Sequence, residues 1–178
     1  MKTIRIQSIE NLNFQEAWRL YLSSFPIDER RELSVQIEVP KHGDYHFEVV
    51  LNDNVFIGFI AWWQFEGLRF IEHFATHKNH RGRGYGKTIL KKFISEDNEG
   101  IILEVELPHS EINKRRIEFY KKLGFKLNMH EYYQLPLRKN GAKLALMVMS
   151  YPLEVDEKEI GKFEKDFKEK CYDDYILD

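Results

Sequence analysis

The sequence predicts an α/β (α+β) fold in which a central mixed, mostly antiparallel sheet of about seven strands is flanked by helices. Three observations carry this expectation. Between Tyr45 and Thr76, three apolar and aromatic runs are separated by turn residues, which makes an antiparallel meander. A basic segment with glycines at 82, 84 and 86 then stands between the third run and a stretch of helical period, and another strand and helix follow. Two further strand-like runs and an amphipathic tail complete the pattern.

Taken in order, "TIRIQSI" alternates as a strand does. Phe14 to Phe25 places apolar residues at 14, 17, 18, 21, 22 and 25, a helical stripe that Pro26 stops. The stretch "YHFEVVLNDNVFIGFIAWWQFEGLRFIEHFAT" holds three strands joined by tight turns at Asn52-Asp53-Asn54 and Glu66-Gly67. After the glycines, Thr88 to Ile94 continues as a helix, and "GIILEVELP" reads as a strand. Ser110 to Leu123 is a helix closed by Gly124, the residue a left-handed C-cap favours. Strands near Met129–Leu137 and Ala142–Tyr151 come next. Apolar positions 160, 163, 167, 171 and 175 predict an amphipathic helix over about 155–176.

Composition narrows the classes of function. With 178 residues, 43% hydrophobic and 14% aromatic, the chain suits a single domain over 1–178. A formal net charge of -2 with both signs mixed argues against a general polyanion binder, so no nucleic-acid partner is expected and any anion site must be built locally. Cys171 is the lone cysteine, no basic-then-apolar leader opens the chain, and no apolar run approaches the roughly 20 residues of a membrane span. The expected profile is cytoplasmic, without a membrane partner.

The segment "HKNHRGRGYGKTILKKFI" carries the chemistry. A mononucleotide loop G-x-x-x-x-G-K-[ST] would need a glycine where Arg81 stands, and a dinucleotide loop G-x-G-x-x-G would need one at Lys87. An arginine-glycine tract that binds RNA would be longer and repeated. Taken alone, a glycine turn with solvated cations fits as well. Small residues at 82, 84 and 86 leading into a helix, however, let backbone N–H groups approach a phosphate closely, with Arg81, Arg83 and Lys87 adding charge.

Arg81-x-x-Gly84-x-Gly86, set after "FIEHFAT" and before "LEVELPHSEINKRRIEFYKKLGF", resembles the signature of the GCN5-related N-acetyltransferase (GNAT) superfamily. The resemblance runs through about residues 1–150 in element order and is most specific over 70–125. It implies a sheet splayed between its fourth and fifth strands, with acetyl-coenzyme A as acetyl donor, its pyrophosphate held by the glycine loop. The implied coenzyme contacts are Phe74, Ala75 and Thr76 on the central strand, Arg81, Gly82, Arg83, Gly84, Tyr85, Gly86 and Lys87 in the loop, and Asn113 on the next helix. A backbone N–H near Phe74, beside a strand bulge, is expected to hold the developing oxyanion.

On "IILEVEL", residues 101, 103, 105 and 107 face one side while Ile102, Glu104 and Glu106 face the other, which suits either a cleft or a solvated edge. Asn113 and Tyr120 are two helical turns apart and project from one side; packing beside Phe119 and Leu123 is the commoner role for a helical tyrosine such as Tyr120, and Asn113 could equally be an exposed polar residue. A primary amine with a pKa of about 10.4 is almost wholly protonated at neutral pH, so attack on a thioester needs a proton acceptor, and the departing thiolate needs a donor. The resemblance gives the donor role to Tyr120. It offers two bases: Glu104, matching the branch that acetylates ribosomal-protein N-termini, and Glu72, where other branches place an acidic or imidazole base. The choice between them stays open. His73, His77 and His80 lack metal-ligand spacing, so no metal is expected.

The expected activity is transfer of an acetyl group to a primary amine of a small-molecule or peptide acceptor, by direct attack in a ternary complex. Trp62, Trp63, Tyr132 and Tyr133 are candidate walls for that acceptor. The alternative is an acyl-CoA-binding regulatory module without turnover; a P-loop-like nucleotide enzyme ranks third. Homodimer formation is left open.

Overall fold

The computed structural model of the chain describes residues 1–173. Seven strands form one sheet in the order β1-β2-β3-β4-β5-β7-β6: β1 (Lys2–Arg5), β2 (Tyr45–Asn52), β3 (Val55–Phe65), β4 (Leu68–Thr76), β5 (Gly100–Glu106), β6 (Lys126–Gln134) and β7 (Leu144–Tyr151). Every neighbouring pair is antiparallel except β4 and β5. The predicted meander is present. Its first turn is the two-residue Asp53-Asn54, both at positive φ, which matches the twist of a hairpin; the second turns on Gly67 at φ 69°.

Five α-helices flank the sheet: α1 (Phe14–Ser24), α2 (Leu33–Glu38), α3 (Tyr85–Ser95), α4 (Glu111–Lys121) and α5 (Glu157–Phe167). Pro26 ends α1 as expected, with Phe25 forced into extended backbone before it. Ser110 caps α4 by accepting the N–H of Asn113, and Gly124 closes it at φ 99°. Asp156 and Glu159 form a capping box at the start of α5.

Several boundaries differ from the sequence expectation. Helix α3 begins at Tyr85, three residues early, because Gly84 already serves as its N-cap. Strand β6 covers 126–134 in place of 129–137; Pro136, which cannot join a ladder, lies beyond its end. α2 went unpredicted, since "LSVQIE" is too short to show a period. The tail is α-helical only to Phe167 and continues as a π-helical turn over Lys168–Asp173. Tyr175 and the predicted end at 176 lie outside the described residues. No helix among the described residues is long and apolar enough to cross a membrane.

Strand alternation divides the core in two. Phe59, Ala61, Trp63, Phe70 and Ile102 pack under α1 and α5, whereas Ile60, Ile71, Leu103 and Val105 pack under α3 and α4. A bulge interrupts this alternation on β4. Ala61 pairs with His73 and Trp62 with Ile71, so Glu72 has no partner on β3. Bulges kink a strand and re-aim its side chains. Here Glu72 and His73 both turn toward α1: Glu72 binds Arg31 and Trp63 Nε1, and His73 packs edge-on against Tyr21 and Phe25.

The Arg31–Glu72 pair is bidentate and its side chains are 0% exposed. Burial alone would raise the Glu72 carboxyl; the Arg31 guanidinium and the hydrogen bonds from His73 and Arg31 more than offset this and hold it at about 2. Arg31 also lies over the Tyr45 and Trp63 rings, and its N–H donates to Tyr21 Oη at 2.8 Å. The segment joining α1 to α2 is thereby fastened to the middle of the sheet.

Replacing Glu72 by Gln should strand a buried guanidinium and lower unfolding stability by about 3–5 kcal/mol, whereas Arg31→Met together with Glu72→Gln should cost less than the sum of the two. Because the folded pKa of Glu72 lies below its ordinary value of 4.5, this contribution is full above about 4.5 and is lost as pH falls toward about 2. Urea unfolding of the two single variants and the double variant across that range is the measurement; a double-variant cost equal to the sum of the two single costs would deny the pair this role.

Candidate active site

Parallel pairing of β4 with β5 stops at Ile71 and Leu103, directly before the bulge. Beyond that point the strands part. β4 stays paired to β3 as far as Thr76, and β5 stays paired to β7 as far as Glu106, so each keeps one open edge. The cleft between them has a volume of about 600 Å³. Its walls include Phe74, Ala75 and Thr76 of β4, Leu103 to Glu106 of β5, and the loop before α3. The predicted splay between the fourth and fifth strands is therefore present, with its bulge at Glu72, two residues before Phe74.

At one end of the cleft lie Arg81, Gly82, Gly84, Tyr85, Gly86 and Lys87. Gly82 and Gly84 adopt φ of 76° and 82°, and a Cβ at either would meet nothing within 4 Å. Gly86 lies inside α3, where a Cβ would make only ordinary contacts with Phe119, Thr76 and Phe74. The positive-φ requirement thus falls on Gly82 and Gly84. Arg81 Nε donates to the Thr76 carbonyl at 3.1 Å, tying the loop to the strand it leaves. The first N–H groups of α3 have no acceptor within the helix, and with Lys87 beside them they form a cradle that fits a pyrophosphate. Arg83 is exposed and does not line the cleft.

Glu104 and Tyr120 reach the cleft from opposite faces of the sheet. Glu104 lies on the α1 side, where Tyr132 Oη and Gln134 Nε2 both donate to its carboxylate. Burial raises its pKa, and the two donors offset only part of that, leaving it at about 8. Tyr120 packs among Leu103, Val105 and Ile117 on the other face, and burial pushes its phenol up to about 12, so it stays protonated across the working range. It also lines the cleft, so the same ring packs in the core and borders the open space.

Glu72 touches the cleft, but every bond described above commits its carboxylate, and a group held at about 2 is a weak proton acceptor. Asn113 does not line the cleft; its amide donates to the Leu107 carbonyl at 2.9 Å and so braces the strand-to-helix connection. None of the four proposed acceptor walls lines the cleft. Trp63 is buried against Glu72, Trp62 packs on Phe93, Tyr132 serves Glu104 through its hydroxyl, and Tyr133 is exposed. Phe25, Phe74 and Phe119 supply the phenylalanine walls. His73 Nε2 donates to the Glu29 carbonyl while its Nδ1 lies 3.3 Å from the Glu72 carboxylate, and His77 accepts from the Asn79 N–H.

Sequence reasoning missed Phe25, Glu29, Arg116, Tyr132's hydroxyl role and Gln134. Glu29 and Arg31 sit in "DERRE", which reads as a solvated charge run. Arg116 pairs with Glu106 across the cleft mouth. Only the outward position of Glu106 on β5 hinted at that pair.

A sequence profile described as an acetyltransferase (GNAT) domain matches residues 43–127. A solved structure from Bacteroides thetaiotaomicron, classed as a GNAT-family acetyltransferase, shares 31% identity, with 100% of each chain covered and a TM-score of 0.89. The ribosomal-protein-S18-alanine N-acetyltransferase of Escherichia coli superimposes with a TM-score of 0.61 at 15% identity, covering 88% of this chain and 97% of that one. An aminoglycoside 6'-N-acetyltransferase complexed with coenzyme A gives 0.61 at 15% identity over 88% and 100%. Among curated proteins, none matches the chain in sequence. The last two structures share the fold alone, but identity along the full length of the Bacteroides protein, together with the profile match across the cleft-forming strands, makes this chain a member of the GNAT family of acetyltransferases.

Proposed function

We propose that the protein transfers an acetyl group from acetyl-coenzyme A to a primary amine, by direct attack while donor and acceptor occupy the cleft together. The observation that carries this is the parting of β4 from β5, with a pyrophosphate cradle at one end and a carboxylate and a phenol on opposite sides. Neighbours of the same fold are named for acetylating a protein alanine and an aminoglycoside, both through nitrogen.

The coenzyme supplies an activated acetyl thioester; the chain supplies position and proton transfer. Gly82, Gly84 and the start of α3 would hold the pyrophosphate, and the open edge of β4 at Phe74–Thr76 would offer main-chain hydrogen bonds along the cleft. Glu104, with a pKa near that of a working base, would take the proton from the attacking amine. Its two donors fix its orientation. Tyr120 would return a proton to the departing sulfur from the other face.

The glycine cradle is tested by Gly84→Val, which asks a β-branched residue to hold φ 82° and should abolish coenzyme binding in calorimetric titration; Gly86→Ala should cost less. Unchanged affinity in a folded Gly84→Val protein would remove the loop from the donor site. Because Glu104 must be ionised to act, kcat/KM should climb as pH rises through about 8, and Glu104→Gln should erase that inflection while the acceptor's own titration, near 10.4 for a lysine-like amine, remains. An inflection that survives in the variant would assign the base elsewhere. Tyr120→Phe keeps the ring and deletes the acid, so kcat should fall about 10²- to 10⁴-fold with melting temperature nearly unchanged. A fall below about tenfold would leave Tyr120 only its packing role.

A further inference from the structure

The α1 side of the cleft holds more hydrogen-bond acceptors than donors. Glu29 ends the single 3-10 turn Ile27–Glu29, and His73 Nε2 donates to its carbonyl at 2.7 Å, so the residue is pinned against the β4 bulge. Its carboxylate lines the cleft and makes no ion pair with any described residue. Glu106 and Glu104 line the same cleft, the first already paired to Arg116. Gln134 is 4% exposed, and while its Nε2 serves Glu104, its Oε1 meets no donor. The Ser24 hydroxyl, also in the wall, is buried without a partner.

Carboxylates and amide oxygens only accept, so a wall of this kind is completed by a ligand that brings N–H donors and positive charge. The electrostatics agree. Burial first, and then the Glu106 carboxylate, raise the pKa of Glu29, while His73 and Arg116 pull the other way; Glu29 in turn raises that of Glu104. A cation placed among the three would relieve this mutual repulsion.

Resting on the acetyl-transfer reading above, we propose that the acceptor is a small molecule with at least two amino groups, one presented to Glu104 for reaction and the other held as an ammonium ion by Glu29. Gln134 Oε1 accepts an N–H from the reacting end. Glu29 is then the residue that sets acceptor choice.

The test is calorimetric titration of α,ω-diaminoalkanes and of monoamines of matched length onto the protein without coenzyme, so that binding is read apart from turnover. The best diamine should bind about tenfold tighter than its monoamine, the worth of one partly buried charge pair. Glu29→Gln should bring that ratio close to one and Glu29→Asp should retain it, with melting curves showing each variant folded. Equal affinity for both amine series in the wild type, no binding of either, or a ratio untouched by Glu29→Gln would overturn the proposal. Thiol release from acetyl-coenzyme A separates this result from the parent reading: a Glu29-dependent preference without turnover sinks transfer and leaves the subsite, while turnover without preference does the reverse.

Discussion

The buried pair of Arg31 and Glu72 is the interaction on which the cleft depends. It sits at the bulge where β4 leaves β5, and it joins the sheet to the segment between α1 and α2. A buried ion pair gives little net stability, because desolvation consumes most of the attraction. Its worth lies in position. With the guanidinium bidentate to Glu72 and the Arg31 main-chain N–H on the Tyr21 hydroxyl, the chain from Phe25 to Arg31 is tied to the sheet and to α1 at once. Glu29 and Phe25 inherit their places from that anchor.

The bulge also separates two kinds of chemistry. On the α3–α4 face, Tyr120 and the glycine cradle present a phenol that stays protonated and a row of N–H groups, which suits a thiolate and a pyrophosphate. On the α1 face, Glu104, Glu106 and Glu29 present carboxylates, which suits a cation. Two carboxyls of the same strand neighbourhood diverge because their partners differ. Glu72 has a full charge beside it and is held low; Glu104 has only neutral donors, so burial prevails and carries it up to about 8.

Much of this was legible in the sequence. The meander, the Gly84 turn, the α4 caps and the outward pair Glu104 and Glu106 follow from period and turn chemistry, which are local properties. Tyr120 lines the cleft because helical spacing fixes its face relative to its neighbours. What stayed hidden is what long-range pairing decides. Nothing local in "RRE" marks Arg31 as a fully buried residue, since its partner lies 41 positions away and the bulge that aims that partner is a mismatch between two strands. Gln134 and Tyr132 reach Glu104 over the intervening β7, an adjacency that exists only once the strand order is known. The bond from the Asn113 amide to a carbonyl six residues back is likewise absent from the local pattern.

The insertion of β7 between β5 and β6 bears on how the chain becomes active during synthesis. Glu104 leaves the ribosome well before Tyr132 and Gln134, which are 28 and 30 residues downstream, and β5 cannot gain its antiparallel neighbour until residue 151 has followed. The parallel β4–β5 pair likewise waits for α3 to cross over. Contacts of this sequence separation close late because their loop entropy must be met first. Without those strands Glu104 lacks the burial and the two donors that surround it in the complete fold, and a carboxyl in water keeps its ordinary acidity. The raised pKa of Glu104 is thus a property that only the last strands of the sheet confer.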